Sequence, residues 1–312
     1  MSLRISGLMT LALGAAFASA ATASPLMAVS ADTAALMQDG VDARLSMAGP
    51  LFDGQSRTFS HGNAWAEAVA QKGETDEYGR YRGAHQGYKS ELAGLQVGYD
   101  HGLGDYRVGM SLLGMSGDIE GRGSLRTMKS DADLFGVSLY GTWTGRKVNV
   151  IGDVGYIAGR NDLNRGFGDV DTESYFAGLK FETAFTAGGV SFVPYYGVRF
   201  EHHSSDDVGN LSFSDVNVWK FPIGVNAGYE FTCRAGWKTR FMADAAVIPT
   251  AGDRKTYTNG DGLRVTDSLQ YRFKTGLNTT KGQHAFGLTY GAEVAAHGRF
   301  NQMAVFNYQF MY

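Results

Sequence analysis

The sequence predicts an all-β fold, a transmembrane antiparallel β-barrel of about 12 strands preceded by a short N-terminal α-helix. Three observations predict it. Long stretches alternate strictly between apolar or aromatic residues and small, polar or charged ones, the period of a strand with two unlike faces. An export signal precedes them. The chain then stops on FNYQFMY, with Phe306, Tyr308, Phe310 and Tyr312 on every second position. A terminus in water frays, so four alternating aromatics require a closing strand paired on both sides.

Residues 1–23 read as a secretory signal peptide: Arg4 supplies the positive start, Leu8 to Phe17 the apolar stretch, and small residues follow. Ala18-Ser19-Ala20 and Ala21-Thr22-Ala23 both fit a cleavage motif, so the mature chain is expected to begin at Ala21 or Ser24. Neither is Cys, which argues against a lipoprotein, and an uncleaved membrane anchor is the competing reading. Beyond this segment no apolar stretch approaches the roughly 18 residues of a spanning helix.

Residues 24–61 read as a short linker or passenger remnant. Within it ADTAALMQDGVDARLSM (31–47) has helical spacing, with Ala35, Leu36, Val41 and Leu45 roughly on one side and Asp32, Asp39 and Asp42 elsewhere.

Residues 62–312 read as the barrel, with strands near 63–72, 89–101, 105–117, 131–144, 147–159, 173–186, 190–202, 215–231, 236–249, 267–279, 283–296 and 299–312. The clearest alternation covers 218–231, where Trp219, Phe221, Ile223, Val225, Ala227, Tyr229 and Phe231 oppose Lys220, Gly224, Asn226, Gly228 and Glu230. In 134–143, Phe135, Val137, Leu139 and Trp143 oppose Gly136, Ser138, Tyr140 and Thr142. Short turns (GLGD 102–105, TGRK 144–147, AGG 187–189, CRAG 233–236, TKG 280–282) alternate with long polar loops at 73–86, 117–131, 159–172, 202–214 and 250–266. Tight turns at one end and long loops at the other are the layout of an outer-membrane barrel.

A soluble sandwich would bury its apolar faces between two sheets, whereas a membrane barrel turns them to lipid and keeps polar groups inside. Strands of about ten residues match a tilted bilayer crossing. Trp143, Trp219 and Tyr229 near the ends of the apolar faces suit interfacial girdles, and closure satisfies every backbone group in lipid. Gly at 43 of 312 residues with only 5 Pro is neither collagen-like nor disordered. Near balance between 28 Lys+Arg and 31 Asp+Glu argues against nucleic acid as a partner.

On these residues the chain resembles the translocator domain of a bacterial autotransporter (type V secretion). FNYQFMY resembles the C-terminal signal read by the barrel assembly machinery, and AGLQVGYD (93–100) resembles a second-strand pattern carried here by Gly94, Gln96, Gly98 and Asp100. The resemblance implies an outer-membrane address in a Gram-negative bacterium, a monomer in contact with lipid, and help from periplasmic chaperones. It also implies that helix 31–47 threads the lumen, where a barrel of this strand number leaves room for one helix. Arg44 with the aspartates Asp32, Asp39 and Asp42 would then meet lumen charges, the candidates being Glu67, Lys180, Glu182, Arg199, Glu230, Arg240, Asp244 and Arg272. An exposed linker helix is the competing reading. The family normally carries hundreds of passenger residues ahead of its barrel, whereas about forty precede the first strand here, and residues 24–61 hold no Asn-Asn pair for autocatalytic cleavage. The passenger is absent, a separate protein uses the barrel, or the barrel is itself the product.

Candidate chemistry is thin, and no enzyme, cofactor or metal is expected. His202-His203 with Asp206-Asp207 could form a metal or acid/base site at the lip, but consecutive residues point apart on extended chain, and a solvated loop is the expected setting. GFGDVD (166–171) resembles a dinucleotide Gly motif without a βαβ unit around it. Cys233, the single cysteine, cannot form an internal disulfide and is expected to be an inert thiol in a turn. The expected function is a translocator or anchor that inserts through its last strand and carries an N-terminal segment across the outer membrane. The alternative is a stand-alone porin-like or surface-binding barrel acting through its long loops.

Overall fold

The computed structural model describes residues 25–46 and 62–312, apart from 82–83, 124–127, 146–147, 165–167, 208–211, 234–235, 259–260 and 297. The expected signal peptide and most of the linker, 47–61, lie outside the described residues.

Twelve long strands follow one another around a closed wall: β1 (Gly62–Tyr81), β2 (Ala84–Leu103), β3 (Tyr106–Gly123), β4 (Lys129–Thr144), β5 (Asn149–Leu163), β6 (Gly168–Glu182), β7 (Val190–Ser205), β8 in two pieces (Val216–Lys220 and Ile223–Thr232), β9 (Lys238–Gly252), β10 (Leu269–Lys281), β11 (His284–Ala295) and β12 (Phe300–Met311). Each pairs antiparallel with the next, and β12 returns to β1 in register from Asn63↔Met311 to Glu74↔Phe300. That pairing removes the two open edges, which a wall in lipid must do. A three-residue piece, Phe185–Ala187, folds onto the start of β7, and Lys255–Thr258 pairs with Asp261–Arg264 in a hairpin off the wall.

Side-chain parity follows the sequence. Along β4, Phe135 and Leu139 face outward at 54% and 57% exposure, while Ser138, Tyr140 and Thr142 face inward and are buried. At the turn end the chain reverses through glycines with positive φ: Gly104 at 65°, Gly188 at 59°, Gly236 at 79° and Gly282 at 58°. Only glycine adopts these angles without steric cost.

Two expectations about the strands are corrected. The segments expected as long polar loops are largely strand, since β1 and β2 are 20 residues each and meet between Tyr81 and Ala84. A bilayer crossing needs about ten residues. The remainder stands in water, where its outward face is charged: Lys72 pairs with Glu91 at 3.1 Å and Lys129 with Glu120 at 2.5 Å. Polarity alone reads such a stretch as loop. The strand expected at 215–231 is also interrupted at Phe221 and Pro222. Pro222 has no N–H for the ladder, and the wall stays closed there because the Gly197 N–H donates to the Pro222 carbonyl at 2.8 Å.

Ahead of the barrel, residues 25–45 form one helix, α1, about 31 Å long at 1.5 Å per residue. It begins six residues before the expected start, because Leu26, Met27, Ala28 and Val29 belong to it. Its burial is all-round rather than one-sided, since a helix inside a tube meets wall on every face. The lumen accordingly holds a helix and not an open hollow.

Candidate functional site

The axis of the barrel is where the chemistry lies, and α1 has two unlike halves there. Its C-terminal half is clamped by ions. Arg44 donates to Asp100 on β2 at 2.5 Å and to Gln309 on β12 at 3.3 Å, and its guanidinium lies 4.4 Å over the Trp65 ring of β1. Asp42 pairs with Lys180 of β6 at 3.2 Å. Asp39 takes Arg272 at 2.9 Å and Lys274 at 2.6 Å, both on β10. Ser46 donates to Glu182 at 2.8 Å, and Asn149 of β5 donates to the Leu45 carbonyl at 3.0 Å. These partners surround the helix, which fixes its rotation about the barrel axis as well as its depth.

The N-terminal half is sealed by apolar packing. Leu26, Met27 and Met37 are buried against Leu113, Ile119, Leu134 and Ile157 of the wall and Val216 at the start of β8. A polar interior was expected throughout, and at the loop end that expectation is corrected. Burying each such side chain is worth about 1.5–3 kcal/mol, which holds the helix against the wall at this end. Ions still fix the helix at this end. Asp32 pairs with Arg299 beside the β11–β12 connection, and Arg199 of β7 donates to the Ala34 carbonyl at 2.9 Å.

The candidate residues divide accordingly. Lys180, Glu182, Arg199 and Arg272 line α1 and bond to it. Glu67 is buried beside α1 at Gly40, where a Cβ would stand 2.7 Å from its carboxylate oxygen. Arg240 donates instead to Ser191 at 2.6 Å, and Asp244 accepts from Tyr195 at 3.0 Å, so both brace the wall. Glu230 is exposed at the turn-side mouth, away from α1, because β8 runs past the end of the helix there. Sequence reasoning missed Lys274 and Arg299 as ion partners, and Trp65 as a lumen residue, while Asp32 was expected among the helix aspartates. For Lys274 a signal existed, since it shares the inward parity of Arg272 two residues away.

The pattern in AGLQVGYD acquires physical reasons. Gln96 reaches the Met37 carbonyl at 3.5 Å and Ser111 at 3.0 Å, while Asp100 gathers Arg44, Arg107 and Asn63. At Gly98 a Cβ would stand 2.5 Å from the Trp65 ring, and at Gly94 2.0 Å from the Gly114 carbonyl. Helix docking therefore depends on this stretch of β2.

The histidine pair is not in a loop, as expected, but in β7, which runs on to Ser205. His202 and His203 do point apart. His202 lies against Asn217 at 3.0 Å on the outer face. His203 is buried in the lumen between Ser174 at 2.7 Å and Glu201 at 3.1 Å, and Ser174 bonds onward to Ser30 of α1 at 2.8 Å. Asp206 and Asp207 lie past the strand, exposed, and among the described residues no three His, Cys, Asp or Glu groups are placed to hold a metal. Cys233 is free and exposed.

Phe306 and Tyr312 face outward at 51% and 53% exposure, and Tyr308 and Phe310 are half-buried among neighbours. The Tyr308 ring lies 5.1 Å from Phe286 and its hydroxyl 2.9 Å from His284, while Tyr312 stacks near Tyr99 at 6.3 Å. These rings continue the belt of Leu95, Met110, Phe135, Leu139, Phe241 and Phe273 that turns outward around the wall.

A closed twelve-stranded wall with an apolar outer belt and a helix along its axis defines a membrane-spanning barrel of the translocator kind. The chain belongs to the autotransporter β-domain family, whose sequence profile matches residues 64–301. The barrel resembles three solved autotransporter structures at 12% identity each. They are the translocator domain of NalP from Neisseria meningitidis (TM-score 0.66, covering 91% of this chain and 99% of that one), the transport unit of AIDA-I from Escherichia coli (0.61, 86% and 97%) and the β-domain of BrkA from Bordetella (0.55, 80% and 98%). No curated protein sequence matches the chain. Membership places the barrel in the outer membrane of a Gram-negative bacterium, in contact with lipid, and supports a translocator or anchor role.

Proposed function

We propose that the protein is a non-enzymatic translocator that anchors and displays an N-terminal segment through a lumen stoppered by α1. One observation carries this reading: α1 is threaded lengthwise, its residue-25 end beside the loops and its residue-46 end near the start of β1. Asp32 meets Arg299 at one mouth, and Arg44 meets Asp100 and Gln309 at the other. A chain held in this direction points its N-terminus to the cell surface, and with at most Ala21 to Ser24 left ahead of α1 after cleavage, α1 is itself the segment carried into the lumen. Export by a signal peptide cleaved after Ala20 or Ala23, delivery by periplasmic chaperones, and insertion as a monomer by the barrel assembly machinery through Phe306, Tyr308, Phe310 and Tyr312 complete the route. Asp39, Asp42 and Arg44 hold the stopper once the route is finished.

A second reading is favoured by one feature. The walls of β1 and β2 extend well beyond the membrane, which suits a surface-binding barrel, whereas the apolar seal around Met27 and Met37 opposes a porin-like one. Planar-bilayer recording tests the stopper. The intact chain is expected to pass little steady current and a variant lacking residues 25–46 a large one, with refolding of both checked by heat-modifiable gel mobility. Large steady currents from the intact chain would defeat the stoppered reading.

A further inference from the structure

The outer face of β3 to β6 carries charge that neither the lumen nor the lipid belt uses. Asp118, Asp131, Asp162 and Asp169 are direct cross-strand neighbours in series, paired Asp118↔Asp131, Asp131↔Asp162 and Asp162↔Asp169, and all four are exposed. Like charges directly opposed destabilise a sheet. Among the described residues nearby cations compensate only part of this: Arg160 pairs with Asp169, and Lys129 is taken by Glu120. One rung lower, Asp133, Arg160 and Asp171 stand side by side, and below them the Tyr156 hydroxyl donates to Glu173 at 2.9 Å. A tyrosine with an apolar body and a bonded hydroxyl marks the level of lipid headgroups. Beneath the acidic rows a groove of about 960 Å³ opens on the outer wall, with Leu95, Val97, Leu112 and Phe135 along its floor and Asp133 and Asp171 at its rim.

We propose that this surface docks a cationic amphipathic helix from another polypeptide, lying along the membrane–water interface with its apolar side in the groove and its Lys or Arg residues on the aspartate ladder. Spacing fits this occupant. Neighbouring strands lie about 4.8 Å apart, and one face of a helix repeats about every 5.4 Å, so a helix laid across the strands sets one cation near each aspartate. A phosphorylated lipid has the wrong sign and would need bridging divalent cations, for which no three described carboxylates converge.

The test uses the full chain in discs of zwitterionic lipid and a fluorescent Leu/Lys amphipathic helix as probe, read by anisotropy against empty discs. Binding to the protein should exceed that to empty discs and weaken with added salt. The variant D118N/D131N/D162N/D169N should bind about tenfold more weakly, the sum of three exposed ion pairs of ordinary strength with Asp169 already held by Arg160. These side chains lie outside the packed wall, and unchanged heat-modifiable mobility verifies folding. Equal binding by wild type and variant overturns the proposal, as does equal binding of a shuffled, non-amphipathic peptide of the same composition. Ladder-dependent retention of a phosphorylated lipid with Mg²⁺, without retention of the peptide, overturns it in favour of cation bridging.

Discussion

Asp100 is the residue on which the turn-side clamp converges. Its carboxylate is buried and takes Arg44 from the helix, Arg107 from β3 and Asn63 from β1, while the Tyr140 hydroxyl approaches at 3.3 Å. Two guanidiniums on one buried acid are stable only while that acid is present. Asp100→Ala should cost about 3–5 kcal/mol, because Arg44 and Arg107 would both lose the buried carboxylate they share; the midpoint of urea unfolding in detergent micelles measures this. The charged members of α1 were legible, since Asp32, Asp39, Asp42 and Arg44 interrupt a mostly apolar helix. Their partners were only partly so, because Arg44 and Asp100 are 56 positions apart and Asp32 and Arg299 are 267 apart. Nothing local in a chain reports such pairings.

At the scale of elements, the closing strand and the helix show how far periodicity reaches. β12 was readable to its last residues because alternation there coincides with lipid on one side and lumen on the other. The β1–β2 hairpin was read as shorter than it is, since above the bilayer both faces meet water or polar neighbours and the apolar signal fades. The helix was expected from 31, which left Leu26 to Val29 in the linker, and their burial with Leu113 and Ile119 shows why they belong to the helix. If the outward aromatics of β12 are what the assembly machinery reads, Phe310→Ala with Tyr312→Ala should lower recovery of heat-modifiable barrel from outer membranes severalfold. The purified variant should still refold in micelles, because the pairing of Ala64 with Phe310 is made by backbone groups. Equal recovery of variant and wild type would show that these rings are not the signal.

The whole molecule is an inverted solvent problem, apolar outside and mixed within. Leu139 lies on the outward belt at 57% exposure, a figure that in water would mark an aggregation hazard and in lipid marks a correct placement. Leu139→Arg should destabilise the folded barrel by about 2–4 kcal/mol if that position sits near the bilayer midplane. The same substitution in a short-chain detergent micelle, which lets the guanidinium reach water, should cost less. Reversible folding into thin-bilayer vesicles and into micelles distinguishes the two, and equal, negligible costs would contradict the lipid placement of this face.

Strand parity, the closing aromatics and the translocator resemblance could be read along the chain, because a period of two is a local property and lipid imposes it on every strand alike. What fills the lumen could not. Leu113, Ile119, Leu134 and Ile157 lie on three different strands, and each looks like an isolated exception to a polar inward face. Closing the wall brings Leu113 and Ile157 to one rung, with Leu134 and then Ile119 nearer the loops, and around Met37 and Met27 the loop-side half becomes a largely apolar core while the turn-side half remains an ionic clamp. What the helix meets depends on which inward side chains stand at each height on the barrel axis, and that is set by strand register and closure rather than by neighbours in sequence.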